Sequence, residues 1–177
     1  MADPVTDSRI DPGDELVDIV DEQDNVIDVV TRRRMRAEVL RHRAVYIAVQ
    51  GTDGRLLVHQ RSFAKDVRPG AWDIAVGGVV GSGESYDEAA GRELAEEIGV
   101  VGVTPVPIGG GTFADQYYEL IGRCYHVVHD GPFTFADGEV IAARWVDVDG
   151  LAELLRDHDV VRDSVALLLD RLIVASG

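Results

Sequence analysis

Residues 78–100 read GVVGSGESYDEAAGRELAEEIGV, and this stretch decides the fold. Glu88 follows Ser85 by three positions, the spacing of a capping box, so a helix is predicted to start just after Ser85. Gly99 suits a left-handed cap that ends the helix near 98. At about 100° per residue, Glu93, Glu96 and Glu97 fall within an arc of about 100°. Ala90, Gly91, Leu94, Ala95 and Ile98 cluster on a different face. Glycine inside a helix costs about 1 kcal/mol relative to alanine, so Gly91 on the apolar stripe predicts a close approach to a neighbouring element. One face therefore packs and the other presents carboxylates.

Three crowded carboxylates repel, which raises the pKa of at least one unless a cation relieves it. Arg92 can pair with Glu88 or Glu96 at i±4, but one guanidinium cannot neutralise the group. Hard divalent cations with oxygen ligands suit such a cluster. The preceding loop, GGVVGSGE, can bring backbone carbonyls and Glu84 toward the same place. The plain alternative is an acidic, solvated helix face.

Outward from this helix, strands and helices mix. LVDIV and VIDVV around DEQDN predict a hairpin, followed by a short arginine-rich helix capped by Thr31. AVYIAVQ and RLLVHQR are joined by GTDG, whose Asp-Gly step suits a tight turn. FAKDVRPGAW is a loop, and WDIAVGGVV is a strand entering the acidic helix. VVGVTPVPI reads as an edge strand because of its prolines. YYELIGRCYHVV and VIAARWVDV are further strands; LAELLRDH and VRDSVALLLDRLIVA are helices, the second with Val165, Leu168, Leu169 and Leu172 at helical spacing. The fold class expected is α/β, a mixed sheet covered by helices on both faces.

The chain has 177 residues, 46% apolar and 28% charged, with a net charge of −15. One domain over 15–177 is expected, with 1–14 as a loose acidic tail. The acidity argues against an extended nucleic-acid partner. No apolar run is long enough for a membrane span, the N-terminus does not read as a secretory signal, and a single cysteine fits a reducing compartment. A cytoplasmic location is expected. TRRRMRAEVLRHR at 31–43 carries six arginines, which read as a solvated face or as a contact for an anionic ligand or acidic partner. A homodimer is left open as the assembly.

Gly78, five residues, Glu84, seven residues, then Arg92-Glu93-Leu94-Ala95-Glu96-Glu97-Ile98-Gly99-Val100 resembles the Nudix box at every defining position. Length, flanking strands and the last helix also suit the Nudix α/β/α sandwich. HRAVYIAV and LLVHQRSFAKDVRPGAWD, within 40–76, resemble the isopentenyl-diphosphate-isomerase-like branch, and residues 15–43 fit its N-terminal extension less specifically. The resemblance implies a Mg²⁺- or Mn²⁺-dependent hydrolase of a small-molecule diphosphate, such as a nucleoside diphosphate linked to another group. Glu93 and Glu97 match the principal metal-ligand positions, with Glu96 a further ligand and the Gly77 carbonyl a backbone one. Arg92 would orient the glutamates and Glu84 would support the loop. The general base varies within the family; Glu139 is the candidate outside the box and Asp137 the second.

Arg61, Lys65 and Arg68 precede Trp72 and are candidates to hold phosphates, with surface charge as the plain alternative. Trp72, Phe113, Tyr117 and Tyr118 are candidates for base stacking or for ordinary packing. Asp73 is expected to shape the loop ahead of the box, the five histidines show no metal spacing, and Cys124 reads as a buried apolar residue. Two other functions stand beside hydrolysis. Isomerisation of isopentenyl diphosphate, or other prenyl diphosphate processing, is opposed by the absence of the isomerase's cysteine and histidine from DIAVGGVV. A non-catalytic nucleotide sensor, like RNA decapping, is opposed less directly, by intact box acids and strong acidity respectively.

Overall fold

The computed structural model describes residues 11–65, 67–136 and 138–175; residues 1–10 of the expected tail and Asp137 lie outside them. Pro12–Asp14 form one 3-10 turn, capped by Asp11. The hairpin follows as β1, Leu16–Val20, and β2, Val26–Thr31, antiparallel with a bulge at Ile19/Val20. Thr31 then caps α1, Arg32–Glu38, its hydroxyl accepting from the Arg34 N–H at 3.3 Å. The central strand is β3, His42–Gln50, and the Gly51–Gly54 turn returns the chain as β4, Leu56–Arg61. Two short strands come next, β5, Trp72–Asp73, and β6, Val76–Val79, leading into α2, Tyr86–Ile98. Strands β7, Val106–Ala114, β8, Glu119–Val128, and β9, Val140–Val146, precede α3, Val148–Asp157, and α4, Arg162–Ala175.

The sheet is mixed, as expected. Strand β3 runs parallel to β8 from His42↔Leu120 to Gln50↔Val128, antiparallel to β6 from Ala44↔Val79 to Ile47↔Val76, and meets β1 at Ile19↔His42. Strand β7 pairs with β8, and β9 with β4. Alternation along β3 divides the core. Ala44, Tyr46 and Ala48 face α3 and α4 with Leu154, Leu167 and Leu168. Val45, Ile47 and Val49 face α2 with Ala89, Ala90, Leu94 and Ile98. The result is the α/β/α sandwich.

Two packing expectations need correction. A Cβ at Gly91 would meet nothing within 4 Å, so this glycine serves no close helix approach. Ala89 and Ala90 carry the buried face instead. In α4, Leu167 takes the core position expected of Leu169, which is only half-buried. Three consecutive leucines satisfy several registers, and only the sheet selects which of them turn inward.

Candidate active site

The acids of α2 are placed by its start. Ser85 Oγ accepts from the Glu88 N–H at 3.3 Å, and the Glu88 carboxylate accepts from the Ser85 N–H at 2.8 Å, completing the capping box. Glu88 is thus held at the cap and is not the partner of Arg92. Arg92 reaches back to Glu84 with a two-pronged contact, Nε to Oε1 at 2.8 Å and Nη2 to Oε2 at 3.0 Å. It also donates to the Val79 carbonyl at 3.1 Å, to Glu93 Oε1 at 2.8 Å and to Glu96 Oε2 at 3.0 Å. A planar guanidinium with five donors can tie strand, loop and helix together in this way. Burial pushes Glu84 up, but Arg92 and the Gly81 N–H outweigh it and hold the carboxyl below its ordinary value.

The three glutamates of the arc part company. Glu96 is exposed and tethered to Arg92, whereas Glu93 and Glu97 are each only 7% exposed and lie beneath β6. Burial raises the Glu93 carboxyl, with Arg92 opposing. Burial, then the Glu93 charge, pushes Glu97 up to about 8, with Lys65 opposing. Desolvation therefore outranks the mutual repulsion expected from helical spacing. The nearest backbone donor to Glu97 is the Gly77 N–H, a long contact at 3.4 Å.

Both acids open on one cavity of about 1260 Å³, large enough for a nucleotide-sized ligand. Arg61, Lys65, Arg68, Glu139 and Gly77 also line it. The Lys65 ammonium contacts the Glu139 carboxylate, and the Glu139 carbonyl accepts from the Ser62 N–H at 2.7 Å. Arg68 pairs with Asp159 at 3.0 Å, and Arg61 donates to the Val67 carbonyl at 3.2 Å. Trp72 is not in the lining. Its ring lies under the Arg144 guanidinium, 4.8 Å from the centroid, and beside His158, while its backbone bonds Asp159 and Val161. Phe113 packs on the core and Tyr117 lies on the outer surface; Tyr118 alone of these aromatics lines the cavity.

Among the described residues, no three Asp, Glu, His or Cys side chains form a ready cation cage. The donor set nevertheless fits Mg²⁺ or Mn²⁺. Mg²⁺ is characteristically held by one or two carboxylates, with waters and substrate phosphates filling the other positions. Glu93 and Glu97 are two buried carboxylates of that kind, and the raised Glu97 accepts only the long contact from the Gly77 N–H among the described residues.

The NUDIX domain family matches residues 40–168. The chain belongs to the Nudix family. It is 44% identical over 132 residues to an uncharacterized Nudix hydrolase of Yersinia pestis, covering 75% of this chain and 72% of that protein. An uncharacterized Nudix hydrolase of Escherichia coli K12, YfcD, is 41% identical over 132 residues, covering 75% and 73%. The crystal structure of DR0079 from Deinococcus radiodurans superposes with a TM-score of 0.69 at 27% identity, covering 82% of this chain and 92% of that one. With these relatives, the chain is a Nudix hydrolase.

Sequence reading missed how the Nudix loop is held. Asp18 of β1 accepts from Ser82 Oγ at 2.6 Å and from the Gly83 N–H at 3.3 Å, with Arg43 at 3.7 Å. The Ser82 N–H bonds the Leu16 carbonyl at 2.9 Å. The N-terminal hairpin thus buttresses the loop that carries Glu84. The single aspartate of β1 gave no sign of it, because the contact joins residues more than sixty apart. His42 and His59 are buried and neutral, lowered to about 4 and about 3 by burial. Cys124 is buried as expected, its thiol directed at the Leu167 carbonyl at 3.4 Å and pushed up to about 11 by burial.

Close approach at the Nudix strand yields a prediction. A Cβ on Gly78 would stand 2.5 Å from Glu93 Oε1. Gly78→Ala is expected to keep the fold at a cost of about 1–3 kcal/mol and to lower turnover about 100-fold by displacing that carboxylate. Melting and rate measurements on the variant check both; unchanged turnover would show that Glu93 need not sit where it does.

Proposed function

We propose that this Nudix hydrolase cleaves a pyrophosphate bond in a nucleoside diphosphate linked to another group, or in a similar small diphosphate, with Mg²⁺ or Mn²⁺. One observation carries the reading: Glu93 and Glu97 lie buried at a large cavity that Arg61, Lys65 and Arg68 also line. Glu93, Glu97 and the Gly77 carbonyl would hold the cation, with Glu96 a further ligand. A bound divalent cation would offset charge on the diphosphate and lower the pKa of the attacking water.

The chain's own groups supply position and a proton acceptor. Arg92 holds Glu93 in place, and Lys65 holds Glu139 at the cavity wall. Glu139 takes a proton from water as its oxygen bonds to phosphorus; the bridging P–O bond breaks, and the second phosphate leaves with the electron pair. Arg61, Lys65 and Arg68 favour the polyanion. The intact box acids favour hydrolysis over the isomerisation of the branch that residues 40–76 resemble. The only cysteine lies outside the cavity lining, which removes the thiol that isomerisation requires in the branch resembled by residues 40–76.

A turnover screen over nucleoside triphosphates, dinucleotides, sugar nucleotides and prenyl diphosphates, with and without Mg²⁺ or Mn²⁺, tests this. Metal-dependent release of two phosphate-bearing products is expected. A double-bond isomer of unchanged mass, or no product from any class with either metal, overturns the reading.

A further inference from the structure

Beyond the box glutamates, the same cavity is lined by a further group of residues, which shares Arg61 with the phosphate-binding set. On the α4 side of the sheet, Tyr46 donates its hydroxyl to Asp163 Oδ2 at 2.6 Å, both groups being buried. Asp73 stands nearby, accepting from the Ala75 N–H at 3.1 Å, while the Ser164 hydroxyl donates to the Val161 carbonyl at 3.0 Å. Arg61 Nη1 lies 4.0 Å from Asp73 Oδ2, and its Nε is buried without a hydrogen-bond partner. Tyr118 adds an aromatic ring beside them, and all five residues line the same cavity as Glu93 and Glu97.

Acceptors outnumber free donors here. The Tyr46 proton is committed to Asp163, and the Arg61 guanidinium is turned toward Asp73 and the Val67 carbonyl, which leaves its Nε–H for an acceptor beside an incoming donor. Two carboxylates therefore dominate what an incoming group meets. Phosphates would be repelled here and belong beside Glu93, Glu97 and Lys65. A hydrocarbon would cover two carboxylates and a phenol without donating to them, which buried polar groups do not tolerate well. The matching occupant is planar, to lie against Tyr118, and carries N–H donors. Carboxylates select exocyclic amines on bases in this way, as when Asp or Glu accepts from the cytosine amine, and aromatic side chains stack on any base.

We propose that Tyr46, Asp163, Asp73, Arg61 and Tyr118 form the subsite for the non-phosphate half of the substrate, and that it takes an amino-bearing nucleobase in preference to a keto base or a prenyl chain. Burial raises both carboxyls, the Asp73 charge adds to the rise at Asp163, and a donated amine proton relieves that crowding. The inference rests on the hydrolytic reading only for the place of the phosphates.

The test is binding, measured separately from turnover. Dissociation constants of the full chain for CMP against UMP and for AMP against IMP are expected to favour the amino base about tenfold in each pair, the scale of a good base contact. Asp163→Asn presents an amide donor as well as an acceptor and should bring both ratios close to one; Tyr46→Phe, which releases the carboxylate from its fixed orientation, should lower them in the same direction. Equal wild-type constants, ratios unchanged in both variants, or isopentenyl diphosphate bound as tightly as the amino nucleotides overturn the proposal. Amine preference without turnover in the screen above would leave the subsite standing and remove the hydrolytic reading. Turnover without base preference would do the reverse.

Discussion

Glu97→Gln is expected to lower kcat/KM on the order of 1000-fold, while making the metal-free protein more stable at pH 8. The catalytic loss follows if Glu97 is a principal cation ligand. The gain in stability follows from its burial. An ordinary glutamate, like Glu97 in the unfolded chain, titrates near 4.5, and the folded environment pushes Glu97 up to about 8. Between those values the folded chain keeps a proton that the unfolded chain has released. This group's contribution is therefore fully present below pH 4.5, falls as pH rises toward 8, and is flat above. Glutamine has no proton to lose and escapes the decline. A divalent cation competes with the same proton, so its stabilising effect on the wild type should grow from pH 5 to pH 8. Melting curves at pH 5, 6.5 and 8, with and without Mg²⁺, together with turnover of the variant, check each part. Full activity in Glu97→Gln, or a Mg²⁺ effect that shrinks with rising pH, would remove Glu97 from the cation site.

The second large effect is expected at Arg92. Arg92→Met keeps the aliphatic stem but removes the charge shared by Glu84, Glu93 and Glu96. Losing one partner of a buried ion pair costs about 3–5 kcal/mol because the other charge is left unpaired. Arg92 is 34% exposed in its side chain, so solvent takes up part of that loss. A destabilisation of about 2–3 kcal/mol is expected, lowering Tm by roughly 5–10 °C for a chain of this size. Turnover should fall as well, since Glu93 loses its anchor. Adding Glu84→Gln removes one of the stranded charges and should restore part of the stability, a coupling that a double-mutant cycle measures. A single variant melting within roughly 2 °C of wild type would show that the guanidinium does not hold the loop, strand and helix together.

Both predictions concern residues visible in the sequence, but their physical basis is not. Local rules reached the limits of α2, because Ser85, Glu88 and Gly99 act within a few residues of where they stand; the observed helix runs from Tyr86 to Ile98 with Gly99 at φ 70°. Strand and helix order were legible for the same reason. The apolar runs leave few alternatives, but the strand expected over residues 100–108 forms later, as Val106–Ala114, pairing with β8 through a glycine-rich stretch that carries no strand signal. Of the partners of Arg92, Glu96 was legible from the i±4 rule, but Glu84 was not, since that rule knows nothing of a loop folded back eight residues away. Nor was the role of Trp72, which lies in β5 with its ring under Arg144 and outside the cavity lining.

By itself the sequence determined the family, the acidic helix with its caps, and the set of glutamates proposed to hold a cation. All of these rest on contacts within a turn or on a motif of fixed spacing. Only the tertiary structure decided which glutamates matter together. It buried Glu93 and Glu97 under β6, left Glu96 to solvent, and brought Lys65 and Glu139 to the same wall across seventy-four positions. It also set Asp18 against the loop and Asp163 against Tyr46, across sixty-four and 117 positions. Desolvation and long-range pairing depend on what the rest of the chain places nearby, and no local pattern of residue types carries that information.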